Sequence, residues 1–197
     1  MVNEDLLLSH GADYKKYTAG EVVFREGEAV QYYFQVMEGS IKLNNYNEKG
    51  KEFIQRIVSK SQGLLENSAF SDKLYPANAV TMEDCVLLRL PKNNYLSLIR
   101  QNPVFYEEII SSLSEQLHYH YIMMNAISSQ NPENRLKTLM DYLKGHCDDQ
   151  AEYSLQIPFT RQQLASLTGL SVETVIRVIK MMEKNQILQI QNRKILY

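Results

Sequence analysis

TRQQLASLTGLSVETVIRVIKMMEK, residues 160–184, holds two helix starts on either side of a glycine turn. Thr160-Arg161-Gln162-Gln163 is a capping box: the Thr160 hydroxyl accepts from the third backbone N–H of the helix and Gln163 reaches back to the cap. Leu164 and Leu167 give this short helix an apolar face, Thr168-Gly169-Leu170 turns the chain, and Ser171 caps a second helix. There Val175, Val178, Ile179 and Met182 recur at helical spacing and face inward. Arg177 and Lys180 are left on the other side, with Glu173 in the exposed first turn. A short helix, a glycine turn and a capped second helix form the helix-turn-helix pattern, whose second helix enters the DNA major groove.

The flanking sequence extends this reading. Downstream, Ile187 to Ile190 and Lys194 to Tyr197 bracket the polar turn Gln191-Asn192-Arg193, which predicts a hairpin wing. Upstream, Ser154-Leu155-Gln156-Ile157 alternates as a strand able to pair with it. Charge is divided along the chain: residues 1–152 carry fifteen basic and twenty-one acidic side chains, residues 153–197 six and two. The net charge of −2 therefore hides a basic C-terminal quarter at +4, and local charge is what a polyanion feels.

From Pro103 to about Ser129 the apolar period is helical. Tyr106, Ile110, Leu113, Leu117, His120, Met124 and Ile127 advance by alternating steps of four and three, which is the seam of a two-stranded coiled coil. An amphipathic helix packed on its own domain uses a similar stripe. Because Phe105, Ile109, Tyr121 and Ile122 lie beside the seam, the helix is expected to do both, its seam on a partner and its flanks on the N-terminal domain. Asn131-Pro132-Glu133 starts another helix with Leu136, Leu139, Met140 and Leu143 on one face, stopped at Gly145 as a C-cap signal.

Between Tyr17 and Leu90 the sequence consists of short β-branched or alternating runs: EVVF, YYFQVM, IKLNN, EFIQRIV, ANAVTM and CVLLRL. Gly20, Gly27, Gly39, Gly50 and Gly63 punctuate them, where a turn needs φ > 0 or a side chain would obstruct. Such spacing predicts a small sandwich or barrel-like roll. Pro91 ends the last strand and opens a short helix from Lys92 to Arg100.

Several function classes are excluded by composition. Two cysteines, Cys85 and Cys147, build neither a disulfide framework nor a metal cluster, and are expected to be reduced structural thiols. The acidic N-terminus has no cleavage-like site and no apolar stretch reaches membrane length, so a cytoplasmic protein without a membrane partner is expected. A metalloenzyme barrel needs His-x-His on a strand, yet Gly11 to Leu117 contains no histidine. No nucleophile–base pair, phosphate-cradling glycine loop or carboxylate dyad argues for catalysis, so no enzyme is expected.

The chain from Tyr17 to Tyr197 resembles the cyclic-AMP receptor protein/FNR (Crp/Fnr) family of bacterial transcription regulators. The resemblance is carried by Gly20-Glu21, Gly27-Glu28, Gly39-Ser40, Gly50-Lys51-Glu52, Thr160-Arg161-Gln162 and Ser171-Val172-Glu173-Thr174-Val175-Ile176-Arg177. It implies an α+β fold: an N-terminal β-roll, a cyclic-nucleotide-binding-like jelly roll, at 1–102, a long dimerisation helix at 103–130, and a C-terminal winged helix-turn-helix at 131–197. It implies a sequence-specific DNA-binding regulator, a homodimer on an inverted-repeat operator of double-stranded DNA, with RNA polymerase as partner if it activates. The DNA-binding residues implied are Arg161, Ser171, Val172, Glu173, Thr174, Arg177 and Lys180. In the family's Ser-Arg-Glu-Thr-Val-x-Arg signature the two arginines and the glutamate read base edges. Glu173 and Arg177 keep that chemistry, whereas Val172 replaces the first arginine and offers only contact with a thymine methyl.

Family members that bind cyclic AMP hold its ribose with a glutamate, its phosphate with an Arg-Ser pair and its purine with a Thr-Ser pair on the long helix. The corresponding effector-pocket positions here are Glu66, Asn67, Ser68, Tyr75, His120 and Tyr121. Tyr75-Pro76 stands at the phosphate pair and lacks the guanidinium a buried phosphate requires. His120-Tyr121 stands at the purine pair and is bulky. Cyclic AMP is therefore not the expected effector, Glu66 is expected to accept from backbone amides, and the effector is left open. No cofactor is expected, since an iron–sulfur sensor needs about four cysteines and a haem sensor an axial ligand in the roll. His120 on the seam is either a proton switch or a neutral hydrogen-bonded residue. The alternative class is a cyclic-nucleotide regulatory module that binds no DNA.

Overall fold

The apolar runs of the N-terminal half fold as antiparallel strands in two sheets, in a computed structural model that describes residues 2–197. Met1, where the expected first domain opens, lies outside the described residues. The strands are β1 (Asp13–Tyr17), β2 (Val22–Phe24), β3 (Tyr32–Glu38), β4 (Ile41–Tyr46), β5 (Glu52–Val58), β6 (Asn78–Thr81) and β7 (Cys85–Pro91). One sheet has the order β1-β7-β3 and the other β2-β6-β4-β5.

A first apolar core holds Phe24, Phe34, Val36, Ile41, Leu43, Val58, Tyr75 and Leu87, drawn from both sheets. A second holds Tyr33, Leu88 and Leu90 together with Leu7 of α1 (Glu4–Ser9) and Tyr95, Leu98 and Ile99 of α2 (Lys92–Gln101). Strand β7 thus buries both faces, which is why CVLLRL is almost continuously apolar and does not alternate. Gly39, at φ +84°, has no room for a side chain, since a Cβ would stand 2.6 Å from the Cys85 sulfur and 2.7 Å from the Asp84 carbonyl.

The roll begins earlier than its sequence pattern. Strand β1 is an edge strand whose DYKKY is exposed except at Tyr17, so it carries no apolar alternation, and lysines on an edge discourage pairing with another chain. Helix α1 is only six residues long, but Asn3 caps it by accepting from the Asp5 N–H.

The long helix α3 (Val104–Ser128) begins in the first of two compact units, which ends at Glu115, and finishes in the second, Gln116 to Tyr197. Phe105 and Ile109 pack against the second core, as expected of the flanks. Tyr121 does not behave as a flank residue: it is 62% exposed. Tyr119, Met123 and Ala126 are the buried positions of this stretch, and the Tyr119 ring lies 4.6 Å from that of Tyr142. The seam residues Ile110 and Met124 are 61% and 65% exposed within the chain, Tyr106, Leu117 and His120 are exposed, and Leu113 and Ile127 are half-buried.

The second unit continues with α4 (Pro132–Gly145), α5 (Arg161–Thr168), α6 (Val172–Lys184) and the hairpin β8 (Gln189–Gln191) and β9 (Lys194–Leu196). Helices α4, α5 and α6 pack on one another through Leu136, Leu139, Met140, Leu164, Leu167 and the inward face of α6. Asn131 caps α4 as expected, accepting from the Glu133 N–H. Gly145 is not the C-cap. It is the last helical residue, and His146 caps the helix at φ −98°, so no left-handed residue is used. The predicted strand at Ser154–Ile157 is reduced to one bridge, Gln156 to Leu196, in which Leu155 and Tyr197 exchange backbone hydrogen bonds.

Candidate nucleic-acid interface

Each joint of the helix-turn-helix is fixed by the groups read in the sequence. The Thr160 hydroxyl accepts from the Gln163 N–H at 3.1 Å and the Thr160 N–H donates to the Gln163 side chain at 2.7 Å. At the far end of α5, Gly169 is left-handed at φ +69° and the Leu170 N–H returns to the Ala165 carbonyl at 3.0 Å, which closes the helix and starts the turn. Thr168 is fully buried and its hydroxyl donates to the Leu164 carbonyl, so the turn is held without an open polar group. Ser171 then accepts from the Thr174 N–H at 3.2 Å and opens α6.

Helix α6 divides cleanly. Val175, Val178, Ile179 and Met182 are buried, while Ser171, Glu173, Ile176, Arg177 and Lys180 are exposed and Val172 and Thr174 are half-buried. The Glu173 carboxyl lies below the usual range because its own backbone N–H and then the Ser171 hydroxyl donate to it in the first turn, where helix N–H groups favour negative charge. It is thus ionised and an acceptor at neutral pH. Arg177 follows one turn later on the same exposed side.

The wing is a tight hairpin with Gln191 paired to Lys194. Its two turn residues, Asn192 and Arg193, both have positive φ, 50° and 65°, the type I′ geometry that suits the twist of paired strands. Asn tolerates that region; arginine does so at a cost of about 1–3 kcal/mol unless the surroundings hold it. They do: a guanidinium nitrogen of Arg161 donates to the Arg193 carbonyl at 2.7 Å, and Glu183 of α6 accepts from the Ile190 N–H at 3.2 Å. Arg161 is among the residues expected at DNA and Arg193 is not. Arg193 closes the polar turn Gln191-Asn192-Arg193, but its tie to Arg161 spans thirty-two positions and leaves no local signal.

Of the six effector-pocket residues, Glu66, Asn67, Ser68 and Tyr75 lie in the first unit and His120 and Tyr121 in the second. Tyr75 lies in the first core, stacked on Phe24 with ring centroids 3.8 Å apart, and its hydroxyl donates to the Tyr32 carbonyl. Asn67 is exposed and Ser68 buried on the 3₁₀ turn Glu66–Phe70. His120 and Tyr121 are exposed on α3. Glu66 lines a cavity of about 240 Å³, and its carboxylate accepts from the Ser112 hydroxyl at 2.9 Å. Cys85 and Cys147 are free thiols, and burial pushes the Cys85 thiol up. Among the described residues no cluster of His, Cys, Asp or Glu is arranged to hold a metal, and no helix is long and apolar enough to cross a membrane.

A β-roll, a long helix with an exposed apolar seam and a winged helix-turn-helix define a class, the DNA-binding transcription regulators. Residues 14–102 match the cyclic nucleotide-binding domain family and residues 135–197 the Crp-like helix-turn-helix domain family. The chain belongs to the Crp/Fnr family of DNA-binding transcription regulators. It is 23% identical over 193 residues to the transcriptional activator protein FnrA of Stutzerimonas stutzeri, covering 97% of this chain and 78% of that protein. It is 25% identical to the cAMP-activated global transcriptional regulator CRP of Haemophilus influenzae, covering 97% and 86%. Among solved structures the fold is similar to the c-di-GMP responsive global regulator CLP of Xanthomonas campestris, with a TM-score of 0.80 at 18% identity over 98% of this chain and 96% of that one.

Proposed function

We propose that this regulator works in the cytoplasm as a homodimer that reads an inverted-repeat operator through α6. In this reading residues 1–102 sense, 103–130 dimerise and 131–197 bind DNA, and no catalysis is involved. The observation that carries it is the divided surface of α6, capped by Ser171 and exposing Glu173, Arg177 and Lys180 together. Glu173 accepts from a cytosine amino group, Arg177 forks onto guanine, and Val172 contacts a thymine methyl. Ser171, Thr174, Lys180 and Arg161 meet the phosphate backbone, which fixes the register. The seam from Tyr106 to Ile127 joins the two copies, so the two α6 helices enter successive major grooves. RNA polymerase is the further partner if the operator lies where it activates.

Cyclic AMP is not the effector in this proposal. The phosphate position is taken by Tyr75, whose ring fills the roll interior against Phe24 and offers no cation.

Selection of bound duplexes from a random library by the purified full-length protein tests the function. The expected outcome is an inverted repeat with half-sites about 10 base pairs apart, centre to centre. Failure to enrich any duplex would leave a regulatory module that does not bind DNA.

A further inference from the structure

Helix α6 carries more apolar surface than its packing uses. Val175, Val178, Ile179 and Met182 close its inward face, yet Ile176 and Met181 are each 43% exposed. Beyond α3 these two are the exposed large apolar side chains of the second unit, among the described residues. Both stand on the helix assigned above to the major groove.

Their positions along the helix differ. At about 100° and about 1.5 Å per residue, Ile176 stands about 6 Å beyond Val172 and on nearly the same side. Met181 lies more than a turn further on and about 140° around the helix from Ile176. Val172 and Ile176 thus form an apolar strip in the N-terminal half of α6, the half that meets base edges in this motif. Glu173 and Arg177 run beside it with the same spacing. Glu183, two turns beyond Ile176 and again on its side, accepts from the Ile190 N–H of β8 at 3.2 Å. The strip therefore lies on the wing side of the two polar readers.

What the groove offers decides what such a strip recognises. Among the groups displayed in the major groove, the thymine C5-methyl is the apolar one. Ile176 pressed against a base amino group or carbonyl would strip its water and return no hydrogen bond. Against a methyl it takes apolar surface out of water on both partners. Two apolar side chains about 6 Å apart match methyls roughly two base steps apart, at ~3.4 Å per step.

We propose that Ile176 is a further specificity-determining residue. It reads a thymine methyl, and together with Val172 it requires two thymines in each half-site beside the cytosine and guanine read by Glu173 and Arg177. The inference rests on the reading of α6 as the helix in the major groove.

The test uses the duplex selected from the random library by the full-length protein. Each thymine is replaced in turn, in both half-sites, by deoxyuridine, which pairs as thymine does and lacks only the methyl, and binding is followed by fluorescence anisotropy. Expected are at least two sensitive thymines per half-site, with binding weakened about four-fold per methyl removed, the equivalent of one buried methylene. Ile176→Ala should weaken binding to the thymine duplex and abolish the effect of deoxyuridine at one of those positions, while Ile176→Val should keep it. Because Ile176 lies on the surface, both variants should melt with the wild type. Fewer than two sensitive thymines, or an Ile176→Ala protein that keeps the full loss at every position, would overturn the proposal. If Ile176→Ala fails to fold, the number of sensitive thymines on the wild-type protein decides. A selected duplex indifferent to deoxyuridine sinks this inference alone, whereas failure to select any duplex sinks the reading of α6 on which it rests.

Discussion

The guanidinium of Arg161 uses one donor on the Arg193 carbonyl, and that bond gives it a structural role besides the proposed phosphate contact. It holds the wing tip in a backbone region that arginine at position 193 resists, and so sets where the Arg193 side chain points. If the two act as one unit, Arg161→Ala and Arg193→Ala each weaken DNA binding and flatten its salt dependence, while the double variant loses little more than the worse single. The expected coupling is about 0.5–3 kcal/mol; additive losses, within about 0.3–0.5 kcal/mol, would show that the contacts are independent. Arg177 is expected to behave differently. Arg177→Ala should cost about 1–3 kcal/mol on the selected operator and relax preference at one symmetric base pair, because a bidentate base contact is lost. Unchanged affinity and base preference would remove Arg177 from the reading face.

Ser171 caps α6 and is proposed also to meet DNA phosphate, and the two roles can be separated. Ser171→Ala removes the acceptor for the Thr174 N–H and should cost about 1 kcal/mol of stability in denaturant unfolding. Ser171→Asp restores an acceptor, and its charge favours a helix N-terminus, so stability should return. The same charge repels phosphate, so affinity for the operator should stay below wild type. Recovery of both together would mean that Ser171 contributes to DNA binding only through the helix. Recovery of neither would mean that the cap is not what the side chain supplies.

Across the whole molecule, α3 leaves a row of apolar side chains exposed in the single chain, Tyr106, Ile110, Leu117 and Met124. Leu113→Glu with Leu117→Glu would bury unpaired charge at a dimer seam and should give monomers by light scattering; an unchanged mass would show that the copies meet elsewhere. The two cores of the first unit set a second molecule-wide property. Burial raises the phenols of Tyr33, Tyr75 and Tyr95 far above their ordinary value, with Glu66 adding to the effect at Tyr33 and Tyr95 and Glu28 at Tyr75. The unfolded chain releases these protons near pH ~10 while the folded chain keeps them. Their contribution to stability is therefore intact below pH ~10 and falls as pH rises beyond it. In an alkaline titration these three of the thirteen tyrosines should ionise only as near-ultraviolet circular dichroism is lost. One smooth ionisation of all thirteen with the native signal retained would contradict the burial.

The sequence by itself determined whatever rests on groups a few residues apart. The capping box at Thr160, the left-handed Gly169, the Ser171 cap, the buried face of α6 and six of the seven strands of the roll are legible because caps, turns and periodicity act within one or two turns of chain. Strand β1 was not legible. It carries no apolar period, and it forms by backbone pairing with the central strand β7, where Asp13 and Arg89, seventy-six positions apart, stand opposite one another with their side chains ion-paired. Long-range meetings inside the roll escaped for the same reason: the Tyr75 ring stacks on that of Phe24, and Arg56, Glu66 and Glu108 line one cavity where β5, the 3₁₀ turn and α3 converge. Which distant residues meet is set by how the apolar faces of whole elements pack, and no local pattern in the chain records that.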